Sequence, residues 1–161
     1  MTASQLFLRP LTEDDIPTIF SLTSDPEVAR FMRFSTHKSI QEAEDLYREY
    51  TSPGNYGYMI CLKDDLTPVG VAALKKEENE EYTRSMSVYL YPRFWNRGYS
   101  TEVILHLKET AVREGIKCLK AYVVRDNTGS CRVLEKHRFS LQEVLHFPDL
   151  HSWLCIYTQQ L

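Results

Sequence analysis

The stretch from residue 56 to residue 124 constrains the fold more than any other part of the chain. Tyr56-Gly-Tyr-Met-Ile-Cys-Leu62 and Pro68-Val-Gly-Val-Ala-Ala-Leu74 are strand-like runs separated by a turn at Asp64-Asp65, which predicts a hairpin. Residues 82–91 alternate and predict a third strand, with residues 75–81 as a charged, solvated connector. The pattern then switches to a helical period over residues 100–114, stopped by Gly115, and returns to a strand at 117–124. Three strands with short connections followed by strand–helix–strand predict one central mixed sheet, in the α/β (α+β) class.

The flanks fit that frame. Residues 6–9 form a short first strand. Thr12-Glu-Asp-Asp15 before Ile16-Pro17 has the form of a capping box with a proline in the first helical turn. Ser24-Asp25-Pro26-Glu27 is a second helix start, and Ser39 with Glu42 opens a third helix running to Tyr50. A short helix at 127–136 and strands at 139–147 and 153–158 complete the chain, read as a single domain over residues 1–161.

Composition narrows the function. A net charge of −3 gives no general attraction to nucleic acid. Cys61, Cys118 and Cys155 sit in apolar runs and no CxxC pair exists, so the cysteines read as small core residues of a reducing compartment. No signal peptide is expected, and no apolar run approaches the ~20 residues of a membrane helix. A cytoplasmic protein without a membrane partner is the expectation. The five histidines show no metal-ligand spacing.

The feature with chemical content is the turn before the long helix. The first N–H groups of a helix lack internal partners and carry partial positive charge. Gly98 lets backbone approach a ligand, Ser100 and Thr101 are good capping residues, and Arg93 and Arg97 add fixed charge. Together these suit a phosphate group, although a capped helix on a tight glycine turn explains the same residues. Glu102 is the objection on charge. The turn is neither a GxxxxGK[ST] phosphate loop nor a GxGxxG fingerprint.

Two motifs carry a resemblance that covers nearly the whole chain. Trp95-Asn-Arg-Gly98-Tyr-Ser100-Thr101-Glu102 is similar to the pyrophosphate turn of the GNAT superfamily of acetyl-CoA-dependent N-acetyltransferases, in the variant with an aromatic first residue. Asn127-Thr-Gly-Ser130-Cys-Arg-Val-Leu-Glu-Lys136-His-Arg-Phe139 resembles the family's second helix opening, with Arg138 where a glycine is usual. That departure puts the left-handed helix exit in doubt. The chain looks closest to the ribosomal-protein alanine N-acetyltransferase branch.

The resemblance implies a twisted, mostly antiparallel sheet splayed between strands 4 and 5. It implies acetyl-CoA as acetyl donor, no metal, an amine acceptor, and a monomer or homodimer. Coenzyme A would be bound by the turn residues Arg93, Asn96, Arg97, Gly98, Tyr99, Ser100 and Thr101. Backbone groups of Val88 and Leu90, and Asn127, would hold the pantetheine arm. Glu27, Arg30, Phe31, Phe34, Tyr82 and Tyr89 would line the acceptor pocket.

Direct transfer needs a neutral amine and an acid for the leaving thiolate. Many relatives supply a tyrosine seven residues after the Asn, but Leu134 stands there. Ser130 is then the candidate acid, though its hydroxyl equally suits a helix start. No acid lies on the strand before the turn, where Ser85 and Ser87 are the polar positions. His146, Asp149 and His151 are the candidate bases, with water as an alternative relay. The acceptor is either a protein N-terminus or a small amine; a coenzyme A-binding sensor or scaffold is the other reading.

Overall fold

The chain sets its helices with local signals before any long-range contact is made. Thr12 N–H donates to Asp15 Oδ2 at 2.9 Å, closing a turn of 3-10 helix at Glu13–Asp15 that leads into α1 (Ile16–Thr23). Asp25 accepts from Glu27 N–H and starts the short α2 (Pro26–Ala29). Glu42 reaches back to the N–H groups of Lys38 and Ser39 and opens α3 (Ile40–Tyr50). The computed structural model describes residues 4–32, 35–147 and 152–161. Phe34, Asp149 and His151 lie outside the described residues.

Seven strands form one sheet: β1 (Leu6–Pro10), β2 (Tyr56–Leu62), β3 (Pro68–Glu77), β4 (Glu80–Leu90), β5 (Cys118–Val124), β6 (Ser140–Phe147) and β7 (Ser152–Gln160). Their spatial order is β1-β2-β3-β4-β5-β7-β6. All neighbours are antiparallel except β4 and β5, which are parallel and joined through α4 (Tyr99–Arg113). The last helix, α5 (Thr128–Lys136), lies between β5 and β6.

The two faces of the sheet bury separate cores. Val103, Leu107 and Ala111 of α4 and Leu134 of α5 pack with Leu6, Ile60, Leu74 and Leu119. Ile19 and Leu22 of α1 and Ala43 and Tyr50 of α3 pack with Met59, Val71 and Tyr89 on the other face. Apolar burial on both faces explains the near-continuous apolar run Val69–Leu74 in β3.

Three local expectations are corrected. The charged stretch 75–81 is not a connector: β3 continues to Glu77 and β4 begins at Glu80, so only residues 78 and 79 turn. Asn79 supplies the left-handed φ of 61° that a tight hairpin needs. The charges are tolerated because they find partners, Lys120 on Glu80 at 2.6 Å and the Tyr122 hydroxyl on Glu77 at 2.8 Å. Ser100 and Thr101 are not caps, because α4 already starts at Tyr99, with Gly98 as the residue before it at φ 78°. Arg138 keeps the left-handed exit despite its side chain, at φ 69°. There the Phe139 N–H donates to Leu134 O at 3.0 Å and the buried Phe139 ring holds the turn against the core.

Parallel pairing of β4 with β5 runs only from Thr83–Cys118 to Met86–Ala121. Beyond it β4 continues to Leu90 and β5 to Val124, and the two ends diverge. The expected splay between strands 4 and 5 is therefore present, and it places the site.

Candidate active site

A cavity of about 610 Å³ opens where β4 and β5 separate. That is an ordinary volume for a small-molecule site. Ser85 to Leu90 form one wall and Ala121 to Val123 the other. The turn residues Trp95, Asn96 and Gly98 and the first turn of α4 close one end; Val28, Phe31, Met32, Leu46, Glu49 and Tyr50 line the opposite end. The site is thus bipolar: helix N-terminal amides at one end, aromatic, apolar and hydroxyl groups at the other.

The amide end is shaped by backbone. Asn96 and Gly98 both take left-handed φ values, 60° and 78°. A Cβ built on Gly98 would meet nothing within 4 Å, so the turn faces open space rather than packed protein. The Trp95 indole N–H donates to the Leu90 carbonyl at 3.0 Å and ties the turn to the end of β4. That bond engages one of the two Leu90 backbone groups expected to face a ligand. Glu102 does not oppose an anion, because its Oε1 accepts from Gln5 N–H at 2.8 Å, Leu6 N–H at 3.0 Å and the Ser4 hydroxyl. Its charge is directed to the start of β1.

The expected site residues divide by position. Val88, Leu90, Asn96, Gly98, Tyr99, Ser100, Thr101, Asn127, Ser130, Phe31 and Tyr89 line the cavity. Arg93 and Arg97 do not. Arg93 lies over the Tyr91 and Phe94 rings, 4.9 Å from each, and Arg97 sits 5.9 Å from the Phe94 ring. Asn127 uses its side-chain oxygen to accept the Ser130 N–H at 3.4 Å, so it caps α5.

Glu27 and Arg30 are exposed, and Arg30 stacks over Phe31 at 4.9 Å outside the cavity. Tyr82 stands at the other end of β4, its ring 4.9 Å from Lys117 Nζ. His146 faces the Trp153 ring at 5.0 Å on the β6–β7 hairpin, away from the cavity. Tyr82 is remote because the length of β4 separates it from the splayed end, and His146 because β7 lies between its strand and β5; Glu27 and Arg30 flank the lining residues Val28 and Phe31 but are themselves exposed.

The opposite end joins Tyr89, an expected pocket residue, to Tyr50, which the sequence did not single out. Tyr50 and Tyr89 join their hydroxyls at 2.6 Å, with ring centroids 6.5 Å apart. Tyr50 is 1% exposed. Burial pushes its phenol well above the ordinary value, with Tyr89 adding to the rise and the Ser87 hydroxyl opposing it. Glu49 meets Lys75 at 2.6 Å, and both line the cavity. The 43/46/50 spacing in α3 marks a face toward the sheet. Nothing local reveals the partner of Tyr50, which is 39 residues away.

A family model for the acetyltransferase (GNAT) domain matches residues 5–140. The uncharacterised N-acetyltransferase YoaA of Bacillus subtilis (strain 168) is 24% identical over 150 residues, which is 90% of this chain and 85% of that protein. Among solved structures, the spermidine N-acetyltransferase from Vibrio cholerae, in complex with CoA and spermine, superposes with a TM-score of 0.87 at 15% identity, over 98% of this chain and 96% of that one. RimL, a ribosomal L7/L12 alpha-N-protein acetyltransferase in complex with coenzyme A, superposes with a TM-score of 0.83 at 16% identity, over 99% of this chain and 96% of that one. At such identities the structural likeness establishes the fold.

Proposed function

This chain belongs to the GNAT acetyltransferase family and is an N-acetyltransferase, and from that premise we propose that it moves an acetyl group from acetyl-CoA directly to a primary amine carried on an apolar group. The α-amine of a protein N-terminus, as in the ribosomal-protein branch, and a small mono-amine both fit that description. The carrying observation is the bipolar cavity between the diverging ends of β4 and β5.

Acetyl-CoA supplies a thioester, an acyl group with a good leaving sulfur. The residues present suit it. The amides of residues 96–101, at the positive end of α4, would take the pyrophosphate, with the open face of Gly98 allowing close approach. Arg93 and Arg97 would act from the rim, contributing long-range charge rather than contact. Past Met86, β4 has no pairing with β5, which leaves an edge at Val88 for the pantetheine amides. Ser130, at the start of α5, would hold a proton for the leaving sulfur.

The acceptor reading rests on charge. Among the described residues lining the cavity, Glu49 is the one carboxylate, and Lys75 already neutralises it at 2.6 Å. A polycation would find little to hold its extra charges. Val28, Phe31, Met32 and Leu46 offer apolar surface beside the reacting nitrogen.

Calorimetric titration with acetyl-CoA, followed by a thiol-release assay against peptides, mono-amines and polyamines, tests the proposal. Saturable binding and release with the first two classes is the expected result. Absence of binding at millimolar acetyl-CoA overturns it, and binding without release on any amine favours a sensor. Ser130→Ala is expected to lower turnover about 100-fold with acetyl-CoA binding intact.

A further inference from the structure

The proposed reaction requires a proton to leave an ammonium, and the cavity offers little ordinary means of removing it. Among its described lining residues there is no histidine, and the one carboxylate is ion-paired. Hydroxyl groups are abundant, and two are directly linked: Tyr50 of α3 and Tyr89 of β4 bond at 2.6 Å. Ser87 points from the same face of β4, two residues before Tyr89, and lines the same cavity. Tyr50 lines it from the opposite element.

Resting on the acetyltransferase reading above, we propose that the Tyr50–Tyr89 phenol pair, with Ser87 beside it, is the proton relay that carries the amine proton out of the acceptor half of the cavity. Either phenol can donate to the other, so the pair conducts in either sense. In one passage an N–H bond of the ammonium breaks and an O–H bond forms on the hydroxyl facing it. That hydroxyl passes its own proton to the next oxygen, and the last proton leaves to water at the open mouth. The neutral nitrogen then attacks the acyl carbon, and as the C–S bond breaks the nitrogen's second proton passes to Ser130 or water while that hydroxyl gives its own proton to the departing sulfur, leaving the amide and the thiol. Each oxygen ends as it began, one proton in and one out.

The environment selects a relay over a base. Burial opposes a phenolate at Tyr50, and the neighbouring Tyr89 adds to that opposition. A stored negative charge is therefore disfavoured, while a concerted transfer through neutral hydroxyls creates none. The pair also clamps β4 to α3, and both rings are buried in the core that α1 and α3 form on that face of the sheet, so the two oxygens are positioned in advance and need no reorganisation.

The test uses the full chain, acetyl-CoA and two acceptors of matched apolar shape, an alkyl amine that is charged at neutral pH and a weakly basic amine that is already neutral. Tyr50→Phe and Tyr89→Phe keep the rings and the packing; Ser87→Ala leaves the core untouched. The phenylalanine variants are expected to lower kcat about 100-fold for the charged amine and less than about threefold for the neutral one. The double variant is expected to be no worse than either single one, because one path is cut once. Acetyl-CoA affinity and KM for the amine are expected to stay within about twofold of wild type. An equal loss for both amines means the pair is structural and overturns the relay; so does no loss in either phenylalanine variant. A loss in Ser87→Ala confined to the charged amine supports the relay even where a phenylalanine variant folds poorly. Wild-type protein that acetylates neither amine overturns the acetyltransferase reading itself, a result distinct from an active wild type with insensitive variants.

Discussion

Arg9 and Asp15 show how much one side chain can decide. The carboxylate accepts from both guanidinium arms at 2.7 and 2.8 Å, and its Oδ2 also accepts the Thr12 N–H at 2.9 Å. Burial pushes the Asp15 carboxyl up, but the bonds from Arg9 and Thr12 and the Arg9 charge outweigh it and hold it below its ordinary 3.8. A carboxyl depressed in the folded state contributes stability above its unfolded pKa, and that contribution is lost as pH falls through the lower, folded value. Asp15→Asn is therefore expected to cost about 2 kcal/mol at neutral pH and progressively less below about pH 4, measured by denaturant melts across pH. Thr12 and Asp15 were legible as a capping box from spacing alone. The bond to Arg9 was not, because it depends on β1 lying beside the start of α1.

At the scale of elements, the turn from Trp95 to Gly98 decides what α4 offers. Gly98 sits at φ 78°, where an L side chain is strained, and a Cβ there would meet no neighbour within 4 Å. Gly98→Ala should therefore lose about 1 kcal/mol through backbone strain alone. It should also weaken acetyl-CoA about tenfold, about 1.4 kcal/mol, by placing a methyl in the proposed cradle. A thermal melt reads the first and calorimetry the second; unchanged affinity would remove the turn from the binding site. Helix starts at Asp25 and Ser39 and the strand at Tyr56–Leu62 were readable because their signals are local. The stretch 75–81 was misread because polar content resembles a loop. Its ladder becomes favourable only when β4 lies opposite and Glu49, Lys120 and Tyr122 meet the charges. Arg138 was a similar case: the buried ring of Phe139 stabilises a backbone angle that the sequence alone disfavours.

At the scale of the molecule, the site exists because two parallel strands stop pairing after Met86 and Ala121. A ligand lying in that gap bridges the two halves of the sheet and binds only the folded state. Acetyl-CoA at 100 times its Kd is expected to add about 2.7 kcal/mol, which for a chain of this size raises Tm by roughly 5–10 °C. A scanning melt with and without the ligand checks this, and S-acetylpantetheine, which lacks the pyrophosphate, serves as the control. The order of elements, the helix starts and the glycine turn were written in the sequence, because periodicity and capping act within a few residues. So was the family, through two short motifs. The tertiary structure alone decided that Tyr50 meets Tyr89, that Glu102 turns to β1, that Arg93 and Arg97 rest on aromatic rings rather than line the cavity, and that His146 and Tyr82 lie far from the cavity. Those outcomes depend on which strands are neighbours and where their pairing ends, contacts made across tens of residues that local pattern does not record.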